Sequence, residues 1–373
     1  MRCPTLSELP PPPPGRAGWP WTEESPQLPD AMPDGSPWPR VSIVTPSLNQ
    51  GRFIEETIRS VLLQGYPNLE YLIIDGGSTD ESVEIIKKYE KHLAHWVSEP
   101  DKGQAYAINK GWRLSSGTMI GWLNSDDLLT PCSIHDAVAY LHTHPMKLLV
   151  YGNSCCINVR SHLLRNYRAR PFRLTSLRLS AVPPIWQPGV LMQREVLKHA
   201  GLLDETLHVA LDSEYWIRLA VRDGGLGFVP RVLSCHRSHD LTKTRTLHAR
   251  KAIEIVQILE SYFKQSDIPE SMSRVQRESL GRAYLLAAQI FDNGILWRSR
   301  SRAYLLRALR LHWKVLSPRL CLLFAKSFLP ARMLRLMRSV HATLRAVSRQ
   351  SSEARLASIP DEERYLLLRA GKA

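Results

Sequence analysis

The chain predicts an α/β protein built on a mainly parallel sheet, and three observations predict it. Short apolar runs alternate with amphipathic helical segments from residue 40 onward, each run ends in a polar turn, and from about residue 245 the pattern changes to long helices. Strands alternating with helices of this length form right-handed βαβ units, which place ligands beyond the carboxyl ends of the strands. Three regions follow: a Pro-rich leader over 1–39, an α/β domain over 40–245 and a basic helical region over 246–373.

The elements can be taken in order. The leader carries "LPPPPPG" and then Pro20, Pro26, Pro29, Pro33, Pro37 and Pro39. That spacing builds neither helix nor inner strand, so a flexible, disordered segment is expected. It lacks the continuous apolar run of a secretory signal, so export by that route is not expected. "RVSIVTPSLN" is a short apolar strand, and the following helix places Ile54, Ile58, Val61 and Leu62 on one face before Gly65 and Pro67 stop it. "LEYLIIDGGSTD" is a second buried strand, with Ser78 and Glu81 spaced as a capping box for the next helix. "HWVSEPDKG", "QAYAINKGWRLS" and "TMIGWLNSDD" add a strand and loop, a helix and another strand. The turns Thr45–Asn49, Asp75–Asp80 and Asn124–Asp127 then share one rim of the sheet.

Charge and cysteines narrow the class. The formal net charge is +14, yet residues 293–352 hold 13 Lys or Arg and no Asp or Glu, so the rest of the chain is near neutral. A local basic excess suits an anionic partner, either a membrane surface or a nucleic acid. The nucleic-acid reading leaves the three rim turns without a purpose, so no nucleic-acid partner is expected. No apolar run of membrane-spanning length occurs. The six cysteines show neither a C-x-x-C pair nor zinc spacing, and reduced thiols in a cytosolic compartment are expected.

The rim carries the chemistry. Asp126 and Asp127, adjacent in N-S-D-D, repel each other; a divalent cation offsets that repulsion, and a helix cap is the alternative. Asp75 ends a buried strand before Gly76 and Gly77, where the backbone turns tightly and approaches a flat ligand. The dinucleotide G-x-G-x-x-G and the P-loop patterns are absent. Asp212 and Glu214 open an apolar helix, as dipole compensation or as a general base. His236, Arg237, His239 and Lys243 cluster in "CHRSHDLTKT", a set suited to a diphosphate or metal.

In order, "VSIVTPSLNQGRFIEETIRSVLLQGYPNLEYLIIDGGSTDES", "SEPDKGQAYAINKG", "GWLNSDD", "DSEYWIRL" and "HRSHDLTKT" resemble the bacterial family 2 glycosyltransferases of GT-A fold, over about residues 40–245. The resemblance implies an inverting, metal-dependent transferase. It would move a hexosyl-type sugar from a nucleotide-diphosphate sugar to a saccharide or lipid-linked acceptor, in cell-surface polysaccharide or glycolipid synthesis. It places Thr45, Pro46 and Asp75 at the nucleotide pocket, Asp101 and Lys102 in a loop approaching nucleotide or sugar, and Asn109 behind them. Asp127, with Asp126, would hold Mg²⁺ or Mn²⁺, and His239 would complete the metal or diphosphate site. Asp212 stands at the catalytic-base position with Glu214 orienting the acceptor, and the two roles can be exchanged. Asn124 replaces a frequent first Asp and Gly76 a frequent second acid, while Leu211 alters the usual acidic pair; a relative with impaired catalysis is the alternative. The basic tail fits a cytoplasmic protein held peripherally on the anionic inner face of the cell membrane.

Overall fold

The computed structural model describes residues 1–178, 181–221, 225–266, 268, 270–292 and 298–311. Their contacts divide into two compact units. One combines Met1–Pro171 with Ile185–His239, and the other combines Phe172–Pro184 with the described residues between 240 and 311.

The first unit is built on a nine-stranded mixed sheet. Its strands are β1 (Val41–Ser47), β2 (Leu69–Asp75), β3 (His95–Ser98), β4 (Met119–Trp122), β5 (Leu128–Leu129), β6 (Leu149–Ile157), β7 (Leu163–Tyr167), β8 (Leu191–Gln193) and β9 (Leu226–Arg237). The order is β3-β2-β1-β4-β8-β6-β9-β5, with β7 paired to β6. The half β3-β2-β1-β4 is parallel, as the strand–helix alternation requires. Beyond β4 the pairing is mixed: β8 runs antiparallel to β4 and β6, while β6 and β9 are parallel. Helices α1 (Gly51–Leu62), α2 (Ser82–Lys88), α3 (Gln104–Leu114), α4 (Ser133–Thr143), α5 (Val196–Ala200) and α6 (Leu211–Val221) complete the unit. The periodic face of α1 is buried, with Ile54, Ile58, Val61 and Leu62 at 0% exposure. The Ser78–Glu81 capping box does not form. Ser78 turns back to Asp75, and Asp80 instead accepts from Ser82 N at 3.0 Å and from Gly51 N, at the start of α1, at 2.9 Å.

The expectation of a disordered leader is overturned. Arg59 of α1 is fully buried and donates to the carbonyls of Pro20 (3.0 Å), Pro10 (2.8 Å) and Trp21 (3.0 Å), with its guanidinium over the Trp21 ring. Trp19 Nε1 donates to Leu129 O, and Trp21 and Trp38 are buried. Proline prevents this segment from forming regular structure, but its free carbonyls satisfy an arginine that α1 would otherwise bury unpaired. Composition shows the first effect and hides the second.

The thiol expectation is corrected as well. Cys155 and Cys235 form a disulfide; they stand opposite each other in the β6–β9 register although they are 80 residues apart in sequence. Among the described residues Cys3, Cys132 and Cys156 stand outside any disulfide.

The second unit holds a 3₁₀ turn (Leu174–Arg178) and helices α7 (Lys243–Thr246), α8 (His248–Tyr262), α9 (Glu270–Asp292) and α10 (Arg298–Leu311). Tyr304 of α10 stacks on Tyr284 and Phe291 of α9. Tyr284 donates its hydroxyl to Glu260 of α8, and burial pushes that hydroxyl up to about 12. Leu305 and Ala308 of α10 are buried, whereas Arg300, Ala303, Leu306, Arg307 and Arg310 are exposed. Most of the basic run, including Lys314 and Leu316, lies outside the described residues. Among the described residues no helix is long and apolar enough to cross a membrane.

Candidate active site

The parallel strands end in a common row. Ser47 pairs with Asp75 and Asp75 with Ser98, while Trp122 of β4 pairs with Val44 and leaves the Asn124–Asp127 turn just beyond the sheet. Asp75 is fully buried, and its carboxylate is consumed by its own turn. It accepts from Ser78 N (2.8 Å), Ser78 Oγ (2.6 Å), Gly77 N (3.2 Å) and Ser98 Oγ (2.7 Å). Its observed work is to shape the loop rather than to reach a base. Thr45 is also buried, bonded to the Tyr71 hydroxyl at 3.0 Å, and Pro46 is covered. What the end of β1 presents instead is Leu48, 53% exposed, beside Ser47, whose hydroxyl is buried without a partner. Asp101 lies against Gly76: a Cβ there would meet its carboxylate oxygen at 3.0 Å. The missing side chain at 76 therefore makes room for an acid from the next loop. Lys102 is exposed, with its ammonium 5.8 Å from the Tyr106 ring centroid.

The N-S-D-D turn is held from three directions. Thr57 of α1 donates to the carbonyls of Ser125 (3.0 Å) and Asp127 (2.8 Å). The Asn124 amide accepts from Gln104 at 2.6 Å and donates to Asp127 at 3.0 Å and to Gln187 at 3.2 Å. A carboxylate at 124 has no hydrogen to donate to Asp127, so Asn is the residue this turn requires. Asp127 is 5% exposed, and its other oxygen accepts the Arg237 N–H at 2.9 Å. Burial first, and the neighbouring charge of Asp126 second, push its carboxyl well above the usual range. Both Asp127 oxygens thus already accept a hydrogen bond within the fold.

Asp126 faces the other way. Its carboxylate lies 3.0 Å from His239 Nε2, and the His239 ring packs on Phe53 of α1. Among the described residues no three His, Cys, Asp or Glu side chains gather into a ready-made metal cluster. A carboxylate and an imidazole nevertheless suit Mn²⁺ or Mg²⁺ when phosphate oxygens and water fill the remaining positions. The donor set fits as a half-site.

Arg237 was grouped with the histidines as a diphosphate ligand, and its burial shows otherwise. It is 1% exposed and donates to Asp126 O (3.0 Å), Asn158 O (3.0 Å), Ser161 Oγ (2.9 Å) and Glu56 (3.0 Å). It locks the turn to α1. Lys243 falls in the second unit.

On α6 the two acids separate. Both Glu214 oxygens are taken by Arg218 at 2.9 and 2.6 Å, and Arg218 also donates to the carbonyls of Ala200 and Leu202. Asp212 is partly exposed and accepts from Ser213 N at 2.6 Å. Trp216, one turn further along the same face, stacks on Trp122 at 5.5 Å, so α6 is anchored beside the end of β4. Asn109 is 1% exposed and clamps the loop between α5 and α6 through Leu203 (3.0 Å both ways) and Glu205 (2.9 Å).

His236 was missed as an individual. Burial lowers its pKa from 6.5 to about 4, against the opposing pull of Asp126. The unfolded chain takes up this proton below pH 6.5 and the folded chain does not until about pH 4. Stability is therefore lost as pH falls through that window and levels off below it. His236→Phe should flatten that limb, by at most about 1.4 kcal/mol per pH unit, in urea melts run between pH 7 and 4. Equal slopes in both proteins would remove the imidazole as the cause.

Residues 42–201 match the family described as Glycosyl transferase family 2. This match spans less than half of the chain. It is 29% identical over 216 residues to an uncharacterized glycosyltransferase of Rickettsia typhi, covering 56% of this chain and 67% of that one. It is 39% identical over 94 residues to the Bacillus subtilis glycosyltransferase TuaG, named for teichuronic acid biosynthesis, covering 24% and 36%. TarS of S. aureus, solved with UDP-GlcNAc, superposes with a TM-score of 0.56 at 17% identity, covering 77% of this chain and 88% of that one. The mannosyltransferase PcManGT of Pyrobaculum calidifontis, solved with GDP-Man and Mn²⁺, gives 0.54 at 20% identity, covering 87% and 88%. These likenesses show the GT-A fold.

Proposed function

We propose that this chain is a family 2 glycosyltransferase that moves a sugar from a nucleotide-diphosphate sugar to an acceptor hydroxyl with inversion. The observation that carries the reading is the division of labour among adjacent acids. Asp127 and Glu214 are committed to Arg237, Asn124 and Arg218, while Asp126 pairs with His239 at the rim and Asp212 stands partly exposed. Leu48 offers apolar surface to the base, and Asp101 and Lys102 bind the nucleotide's polar groups. Asp126 and His239 would hold Mg²⁺ or Mn²⁺, which when bound neutralises charge on the departing diphosphate. Asp212 accepts the acceptor's proton as its oxygen forms the new bond to the anomeric carbon and the bond to phosphate breaks. One displacement inverts that carbon.

The likeness to TuaG and the exposed arginines of α10 support an acceptor in cell-surface polysaccharide or glycolipid synthesis, reached from the inner face of an anionic membrane. Asp126→Ala should weaken Mn²⁺-dependent binding of UDP or GDP at least tenfold in calorimetric titration, and EDTA should have the same effect on the unaltered chain. Equal affinity with and without metal in both proteins would refute the metal half-site.

A further inference from the structure

The near neutrality of the chain outside its basic tail conceals a second imbalance. Residues 137–194 hold seven Arg, one Lys and no Asp or Glu. The densest part is the hairpin of β6 and β7 with the segment after it, where Arg160, Arg165, Arg168 and Arg170 are all exposed. β7 is an edge, paired only to β6 among the described residues. Charge on an edge strand guards against pairing with another chain. That accounts for Arg165 alone, because the other three lie outside β7.

The backbone carrying these side chains is pinned at both ends. Asn158 Oδ1 accepts from the Arg160 and His162 N–H groups at 2.8 and 3.0 Å. Beyond β7, Ala169 N donates to Asn153 at 2.9 Å, and the Tyr151 hydroxyl donates to Arg170 O at 2.7 Å. A bound anion therefore orders side chains rather than a loop, which lowers the cost of binding. The ribbon also begins at the candidate active site. Arg237 donates to Asn158 O and Ser161 Oγ, on either side of Arg160, and to Asp126 O. One buried guanidinium thus joins the turn that carries Arg160 to the turn that carries the metal half-site.

The surface selects among polyanions. A lipid surface calls for apolar side chains that dip into it, and no large apolar side chain between 158 and 171 is exposed. Single-stranded nucleic acid calls for open rings on which bases stack. The one tyrosine of the ribbon, Tyr167, already packs on Trp186 and His236 at 4.1 and 5.2 Å. A saccharide bearing carboxylates needs neither, and planar guanidinium forks hold carboxylates through paired hydrogen bonds.

We propose that Arg160, Arg165, Arg168 and Arg170 form a docking track for an acidic saccharide chain, gripped by its carboxylates and led toward the rim at Asp126. That the docked chain is the acceptor rests on the transferase reading above; that it binds does not.

Calorimetric titration of the full chain with decagalacturonate, without donor or metal, reads the track alone. Binding should weaken at least tenfold in Arg160→Gln/Arg165→Gln. Arg274→Gln/Arg277→Gln, which removes the same charge from exposed positions of α9, should leave it within twofold. Equal weakening in both double variants would reduce the effect to net charge and overturn the track, as would no binding by the unaltered chain. Tighter binding of a charge-matched single-stranded oligonucleotide, or of phosphatidylglycerol vesicles, through Arg160 and Arg165 would overturn it too. In transfer assays with a donor that is turned over, Arg160→Gln/Arg165→Gln should raise the KM for decagalacturonate at least tenfold, with kcat and donor KM within twofold. An unchanged acceptor KM, or an equal rise in donor KM, would remove the track from the reaction. No turnover of any donor by the unaltered chain would instead sink the transferase reading, and the titration would still decide the track.

Discussion

Asp212→Asn is expected to lower turnover about 10²–10⁴-fold while leaving donor affinity within about twofold. The expectation rests on how the two acids of α6 are committed. Glu214 forms a bidentate pair with Arg218, whose guanidinium also holds the carbonyls after α5, so its charge is already spent on joining two helices. Asp212 is partly exposed, four residues before the tryptophan that stacks on the end of β4. Asparagine keeps its size and its acceptor oxygen for the Ser213 N–H but cannot take up a proton from the attacking hydroxyl. The loss therefore falls on kcat. Glu214→Gln should behave differently, lowering thermal stability before turnover per folded molecule. Full turnover in Asp212→Asn, measured as nucleoside diphosphate released with acceptor present, would sink the base assignment; a kcat collapse only in Glu214→Gln would transfer it.

Arg237→Met is expected to cost about 3–5 kcal/mol of stability, because removing one partner leaves Glu56 buried and uncompensated. Four acceptors lose their donor at once: the carbonyls of Asp126 and Asn158, the Ser161 hydroxyl and the Glu56 carboxylate. Glu56 is 4% exposed and keeps only the Ser161 hydroxyl among these partners. For a domain of this size the loss corresponds to a melting temperature lower by about 10 °C. Adding Glu56→Met should recover part of it, since the buried charge then goes too. In the folded fraction the Asn124–Asp127 turn also loses one of its ties to α1, keeping those from Thr57, so metal-dependent nucleotide binding weakens without any ligand having been removed. A melting temperature within about 2 °C of the unaltered chain would show that the guanidinium does not carry this load.

Both predictions turn on residues that the sequence names but cannot rank. The alternation of apolar runs and periodic helices placed β1 to β4 and α1 to α3 correctly, because side-chain period and turn residues are local properties. The rim position of Asp75 and Asp126 followed from the same local reading, whereas the role of Asp212 came from the family resemblance. The leader shows the limit. Its prolines correctly exclude regular structure, yet order comes from Arg59, whose partners lie 38 to 49 residues away. Asn109 and Thr45 show it again, since each is consumed by a contact on another element.

By itself, then, the chain's order of residues determined which elements form, that their polar turns share one rim, and which acids stand there. Only the tertiary structure decided which donors reach each of those acids. A carboxylate's role depends on which donors reach its oxygens, and here the deciding donor often comes from far along the chain. Arg237 meets Asp127 across 110 residues and Glu56 across 181. Local pattern carries no record of such pairings, because they arise when separate elements pack and every buried charge must find a partner.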